Sequence, residues 1–176
     1  HSGVAGEIGH IPTVEDGPAC QCGGRGCLEA VVGQQALVAR GVERGVLSAA
    51  EGSGVLRERA DAGDLAAQRI FADAGHVLGR ALAGVVNTLD PEVVIILGEG
   101  VDSWRHWMYG FEPSFRASLV PSKRGTPVSV ETWQDDRWAQ GAASLVLSTP
   151  FDADGVSGEQ GRLVRERLID AAGDTA

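Results

Sequence analysis

An α/β architecture is predicted, and three features predict it. Residues 64–88 repeat apolar side chains at a helical period, and residues 93–97 (Val-Val-Ile-Ile-Leu) form an apolar run of strand length. A second helix-then-strand pattern follows before residue 131. At 176 residues the chain is one domain, or one domain with a short appendage. Apolar residues make up 43% and charged residues 22%, which supplies a core and excludes a disordered chain. Fifteen Lys and Arg against 24 Asp and Glu leave a net charge of −9. That acidity opposes contact with phosphate backbones, because nucleic-acid affinity comes largely from basic residues displacing counterions. Glycine, at 25 of 176 residues, is about twice its usual share of ~7% and points to tight turns and close backbone approaches.

The elements follow in chain order. Residues 28–47 read as a helix through Leu28, Val31, Val32, Leu37, Val38, Val42 and Val46, with Gly33 and Gly41 as weak points. A loop-rich stretch with a short helix at 55–60 leads to the strongest helix, 64–88. Ile70, Phe71, Ala74, Val77, Leu78, Leu82, Val85 and Val86 form its apolar face. His76, beside that face, reads as partly buried and without function. Asp90-Pro91 ends the helix, since the residue before proline avoids the α region. Residues 93–97 then form a strand buried on both faces, as in a parallel sheet. A turn at 98–100 opens a helix at 104–119, whose Trp104, Trp107, Phe111 and Phe115 stripe reads as core. Pro113 argues for a break within it. Residues 126–131 form a second strand, and 138–147 a short Ala-rich helix. The main domain is placed at 1–147, with a polar tail at 148–176 holding a last helix at 160–172. No apolar run reaches the ~20 residues of a membrane span, and the first ten residues lack the apolar stretch of a signal peptide. The chain starts without Met inside Gly-rich sequence, so it is expected to be a fragment of a longer one.

All three cysteines, Cys20, Cys22 and Cys27, fall within eight residues. An odd, bunched set is a poor disulfide framework and points to a metal in a reducing, cytoplasmic setting. His10 completes a Cys3His set suited to tetrahedral zinc. Pro and Gly punctuate the intervening loop, and Gly23, Gly24 and Gly26 supply the backbone freedom a knuckle needs. Four protein ligands leave no open position, so the zinc is read as structural. The alternative is buried, reduced thiols beside an unrelated histidine. A metal-bound imidazole keeps a second ring nitrogen, which needs a partner and can face a ligand hydroxyl.

Gly6-Glu7-Ile8-Gly9-His10, then Cys20-Gln21-Cys22-Gly23 and Gly26-Cys27-Leu28-Glu29, closely resemble the ROK family (repressor, open reading frame, kinase) in order and spacing. Asn87 to Glu92 before the apolar run, Gly98-Glu99-Gly100 after it, and Gly141-Ala142-Ala143 resemble later segments of that family. The resemblance implies the C-terminal half of an actin-like ATPase (ribonuclease H-like) domain with a zinc-containing insertion. It also implies that Glu7, His10 and Glu29 bind sugar hydroxyls, a role that suits carboxylates accepting two O–H bonds each. Without it, Glu7 is equally an exposed loop residue, and Glu29 a favourable charge in a first helical turn.

The family contains sugar kinases and sugar-sensing repressors with an upstream DNA-binding head, and both carry the cysteine motif. A kinase needs a D-x-G phosphate loop and a catalytic Asp from an N-terminal half, and neither element is found in residues 1–176. Glu99 stands where kinases keep glycine, adding bulk and a charge that repels phosphates. Trp138 stands where they keep small residues near the adenosine. The expectation is therefore a regulator rather than an enzyme. It would be a homodimer that binds a sugar effector, with zinc as cofactor and DNA reached only through a head outside this chain. The alternative is the C-terminal domain of a glucokinase-like enzyme using ATP-Mg. A third reading is a zinc-stapled oligomerisation module with a vestigial pocket.

Overall fold

The computed structural model describes residues 4–131 and, beyond them, positions 139, 141, 143 and 144, all four helical. The expected helix at 138–147 is seen only at those positions; Trp138 and the expected helix at 160–172 lie outside the described residues. The chain divides into two units, His1–Thr132 and Trp133–Ala176. The first unit contains α1 (Leu28–Val32), α2 (Gln34–Glu43), α3 (Ser53–Asp61), α4 (Leu65–Leu89), β1 (Val94–Ile96), α5 (Trp104–Ser118) and β2 (Val128–Val130). Short 3₁₀ turns stand at Ile8–His10, Glu99–Ser103 and Pro121–Lys123.

The helix expected over 28–47 is broken in two. Gly33 is extended, with φ −63° and ψ 161°, and a Cβ there would stand 2.6 Å from the Glu29 carbonyl. Asp64 caps α4 by accepting from the Ala66 and Ala67 amides at 2.8 and 3.1 Å. At the other end Asp90, left-handed at φ 51°, stops it. His76 is exposed, not partly buried.

Helix α5 runs unbroken through Pro113, against expectation. A helical proline frees the carbonyl four residues back, here that of exposed Tyr109, where water can take it up. The inner face of α5 meets α4 backbone to backbone. A Cβ on Gly75 would lie 2.2 Å from the Trp107 carbonyl, one on Gly79 2.6 Å from that of Phe111, and one on Gly110 1.8 Å from that of Ala72. Ser114 Oγ crosses the seam to donate to the His76 carbonyl at 2.9 Å.

Two apolar clusters flank this pair of helices. One gathers Leu37, Val46, Leu47, Leu56, Ile70, Phe71 and Trp107 under α2 and α3; the other gathers Ala83, Val86, Phe111, Phe115 and Leu119 beneath the strands. The expected aromatic stripe is thus core. β1 and β2 are parallel, Val94 opposite Val128 and Ile96 opposite Val130. Only one face of β1 is covered: Val94 and Ile96 pack on the second cluster, while Val93, Ile95 and Leu97 are exposed, Ile95 at 55%. The strand buried on both faces is therefore corrected to one buried on a single face among the described residues.

Candidate functional site

The site begins with a tight turn. Gly6, at φ +90°, lets the chain enter the 3₁₀ turn in which the Ile8 amide bonds the Gly6 carbonyl at 2.7 Å and that of His10 bonds the Glu7 carbonyl at 3.1 Å. In 3₁₀ geometry residues three apart eclipse, so Glu7 stands over His10. Its Oε2 lies 3.8 Å from the histidine Nε2.

The next segment folds back through two antiparallel bridges, Pro12 with Cys27 and Ala19 with Arg25. Gly17 and Gly26 make the fold possible. A Cβ on Gly17 would stand 2.6 Å from the Gly26 Cα, and one on Gly26, at φ +65°, 1.8 Å from the Val14 carbonyl. Gly23, at φ +89°, closes a turn in which its amide bonds the Cys20 carbonyl at 3.0 Å.

This loop delivers the three sulfurs to His10. The four ligand atoms all lie within 4.8 Å of one another, an arrangement that could hold a metal ion. Nδ1 of His10 is 3.5 Å from Cys20 Sγ, and Cys22 Sγ is 3.6 Å from Cys27 Sγ. A tetrahedron with Zn–S of ~2.3 Å and Zn–N of ~2.0–2.1 Å has edges of about 3.5 Å from N to S and about 3.8 Å from S to S. The donor set fits zinc in type, and the His10–Cys20 and Cys22–Cys27 separations match those edges. Nδ1 belongs to the cluster, and Nε2 is the nitrogen left to face Glu7.

The thiols differ. The Gly24 backbone amide and the neighbouring Cys20 and Cys27 lower the Cys22 thiol below its ordinary value, while burial pushes that of Cys27 up to about 11. A coordinated cation overrides such differences, because metal binding deprotonates a thiol outright.

Glu29 opens α1, exposed, with its carboxylate against the Gly9 turn: a Cβ built on Gly9 would lie 3.6 Å from Glu29 Oε2. Glu7, His10 and Glu29 are thus carried by one turn and the helix packed on it. Glu29 and Cys20 also line a cleft of about 450 Å³ with Gln21, Gln34 and Gln35. Nothing in the sequence singles out these glutamines, since glutamine has neither charge nor motif to mark it.

Further along, Gly98 takes φ +124° and Glu99 is exposed at the start of its 3₁₀ turn. Glu99 helps line a second cavity, about 570 Å³, with Arg57, Phe71, Ser103 and Trp107. The letters D-x-G do occur twice, as Asp61-Ala62-Gly63 and Asp73-Ala74-Gly75. The first ends α3 and the second lies inside α4, so neither is a phosphate loop after a strand.

Known proteins of both kinds are similar to this chain. It is 32% identical to the glucokinase of Thermotoga maritima over 158 residues, covering 82% of this chain and 50% of the relative. It is 28% identical to the DNA-binding transcriptional dual regulator NagC of Escherichia coli over 154 residues, covering 82% of this chain and 37% of NagC. Among solved structures, a ROK family glucokinase from Streptomyces griseus in complex with glucose and AMPPNP superposes with a TM-score of 0.69 at 28% identity. That match covers 81% of this chain and 51% of the glucokinase. The chain spans a third to a half of the length of the curated relatives it matches. These likenesses include kinases and a regulator and do not separate the two. The ROK family profile matches residues 1–149, and the chain belongs to the ROK family.

Proposed function

We propose that this chain is the sugar-sensing effector and dimerisation part of a ROK transcriptional regulator of carbohydrate metabolism. In this reading Glu7, His10 and Glu29 hold the sugar, and His10, Cys20, Cys22 and Cys27 hold one structural zinc. The observation that carries it is the 3.8 Å approach of Glu7 Oε2 to the His10 nitrogen that the cluster leaves over. Zinc bound by four protein ligands would act as a staple rather than as a Lewis acid. His10, fixed through Nδ1, donates from Nε2, and Glu7 beside it accepts, so one sugar hydroxyl can accept from the ring and donate to the carboxylate. Glu29 offers a second acceptor from α1.

The regulator is preferred over the kinase on Glu99. Its exposed carboxylate helps line the second cavity with Arg57, whose charge is already paired with Asp102 at 3.0 Å, so the local balance disfavours phosphate groups. Sugar binding would bias two arrangements of a dimer and so reposition DNA-binding heads carried outside this chain, which requires different sugar affinity in the two states. The kinase remains the second reading, because identity to the Thermotoga maritima glucokinase (32%) exceeds that to NagC (28%).

Calorimetry and metal analysis test the site. One zinc per chain is expected, and Glu7→Gln should weaken sugar binding about tenfold, as loss of a charged hydrogen bond does, with zinc retained. Unchanged affinity removes Glu7 from the site. For the full-length protein, sugar-dependent release of DNA supports the regulator, and sugar-dependent consumption of ATP-Mg replaces it with the kinase.

A further inference from the structure

The cleft beside Glu29 is distinct in chemistry from the acidic corner of Glu7 and His10. Three glutamines, Gln21, Gln34 and Gln35, line it, and the rest of the lining beyond Glu29 and Cys20 is alanine and glycine. Gln34 is held in place, its Nε2 donating to Ser53 Oγ at 2.5 Å on the side of the second cavity, which leaves Gln21 and Gln35 as the amides free to serve the cleft. Among the described residues, no lysine, arginine or aromatic residue lines the cleft. An anion would find no counter-charge there and would meet the Glu29 carboxylate. A nucleobase would find no ring to stack on. What remains suited is a neutral ligand rich in hydroxyls, because an amide pairs one donor group and one acceptor with each O–H it meets. At about 450 Å³ the space is within the ~300–1,000 Å³ of small-molecule sites.

Glu29 belongs to both places, so a sugar held at Glu7, His10 and Glu29 borders the cleft on its Glu29 side. We propose that the cleft is a subsite for a second, neutral sugar unit, and that the protein recognises a disaccharide or glycoside rather than a free or phosphorylated monosaccharide. This rests on the sugar-binding reading above and adds the size and charge of the ligand to it. Gln21 and Gln35 would accept and donate to hydroxyls of the second unit, and the small side chain of Ala36 leaves room for its ring.

The test is calorimetry on the full-length, zinc-loaded protein. The probes are glucose, galactose and N-acetylglucosamine, their 6-phosphates, and the disaccharides maltose, cellobiose, lactose and diacetylchitobiose. At least one disaccharide is expected to bind about tenfold more tightly than its own monosaccharide, and the 6-phosphates more weakly than the free sugars. Gln35→Ala should remove most of that disaccharide advantage, and Ala36→Leu, which fills the cleft without disturbing the helix, should remove it as well. Equal affinity for disaccharide and monosaccharide, or tighter binding of a 6-phosphate, overturns the subsite while leaving the sugar site standing. An equal loss of both ligands in the two variants also overturns it. If no sugar of any size binds and Glu7→Gln changes nothing, the sugar-binding reading itself falls, and the subsite with it.

Discussion

Gly26 concentrates the physics of the site into one atom that is absent. Its φ of +65° is costly for an L-residue, and the Val14 carbonyl occupies the place where a Cβ would stand. Gly23 shares the positive φ but has open space around its Cα. Gly26→Ala is therefore expected to unseat the knuckle and release zinc, read as loss of bound metal and a collapsed Tm. Gly23→Ala should keep zinc and cost only the backbone term, about 1–2 kcal/mol by denaturant titration. The cluster of His10, Cys20, Cys22 and Cys27, which could hold a metal ion, is legible in the sequence because thiols that close together have few other uses. The roles of the glycines were legible in outline but not in rank, since a steric contact such as Gly26 with Val14 exists only once the loop has closed. The glutamines of the cleft were not legible at all, because a neutral side chain becomes informative only through its neighbours.

Helices show where local rules are overruled and where they hold. The amphipathic period places α4 to within a residue, whereas Pro113 does not break α5, because its penalty depends on which way the freed carbonyl faces. In α5 that carbonyl is on the exposed Tyr109 side. The glycines of α4 separate packing from propensity. Gly79→Ala should cost about 1–3 kcal/mol by overpacking, since its Cβ would meet Ser114 Oγ at 2.3 Å and the Phe111 carbonyl at 2.6 Å. Gly84→Ala, on the same helix with nothing within 4 Å, should stabilise by about 0.5–1 kcal/mol. Chemical denaturation of both variants checks the pair. Helices α3 and α5 are joined by a different device. Asp61 accepts from Arg105 Nε at 3.0 Å and lies 2.6 Å from Nε2 of buried His106, on whose ring Phe71 stacks. The Arg105 hydrogen bond, then that of His106, holds the Asp61 carboxyl below its ordinary 3.8. A lowered carboxyl stabilises the fold above its unfolded value, and that stability is lost as pH falls through the folded value. Acid titration of stability should therefore show a loss setting in below pH 3.8 that Asp61→Asn abolishes, the variant being less stable by several degrees of Tm at neutral pH.

At the scale of the molecule, the apolar run predicts the parallel pairing of the strands but not their burial. An unbroken apolar run reads as doubly covered, yet the described residues cover only the Val94 and Ile96 side of β1. The chain matches half or less of each curated relative's length, and a two-stranded sheet is marginal by itself. Expressed as residues 1–176, the protein is expected to bind a hydrophobic dye at this face. Ile95→Ser should reduce the dye signal with little change in stability, because Ile95 is already 55% exposed. An unchanged signal would place the dye elsewhere. The seam between α4 and α5 has a mechanical consequence of its own. Two backbones in contact through Gly75, Gly79 and Gly110 cannot shear past each other without a steric collision at every turn. They move as one lever, so a hinge that carries a signal through the first unit would lie outside α4 and α5 themselves.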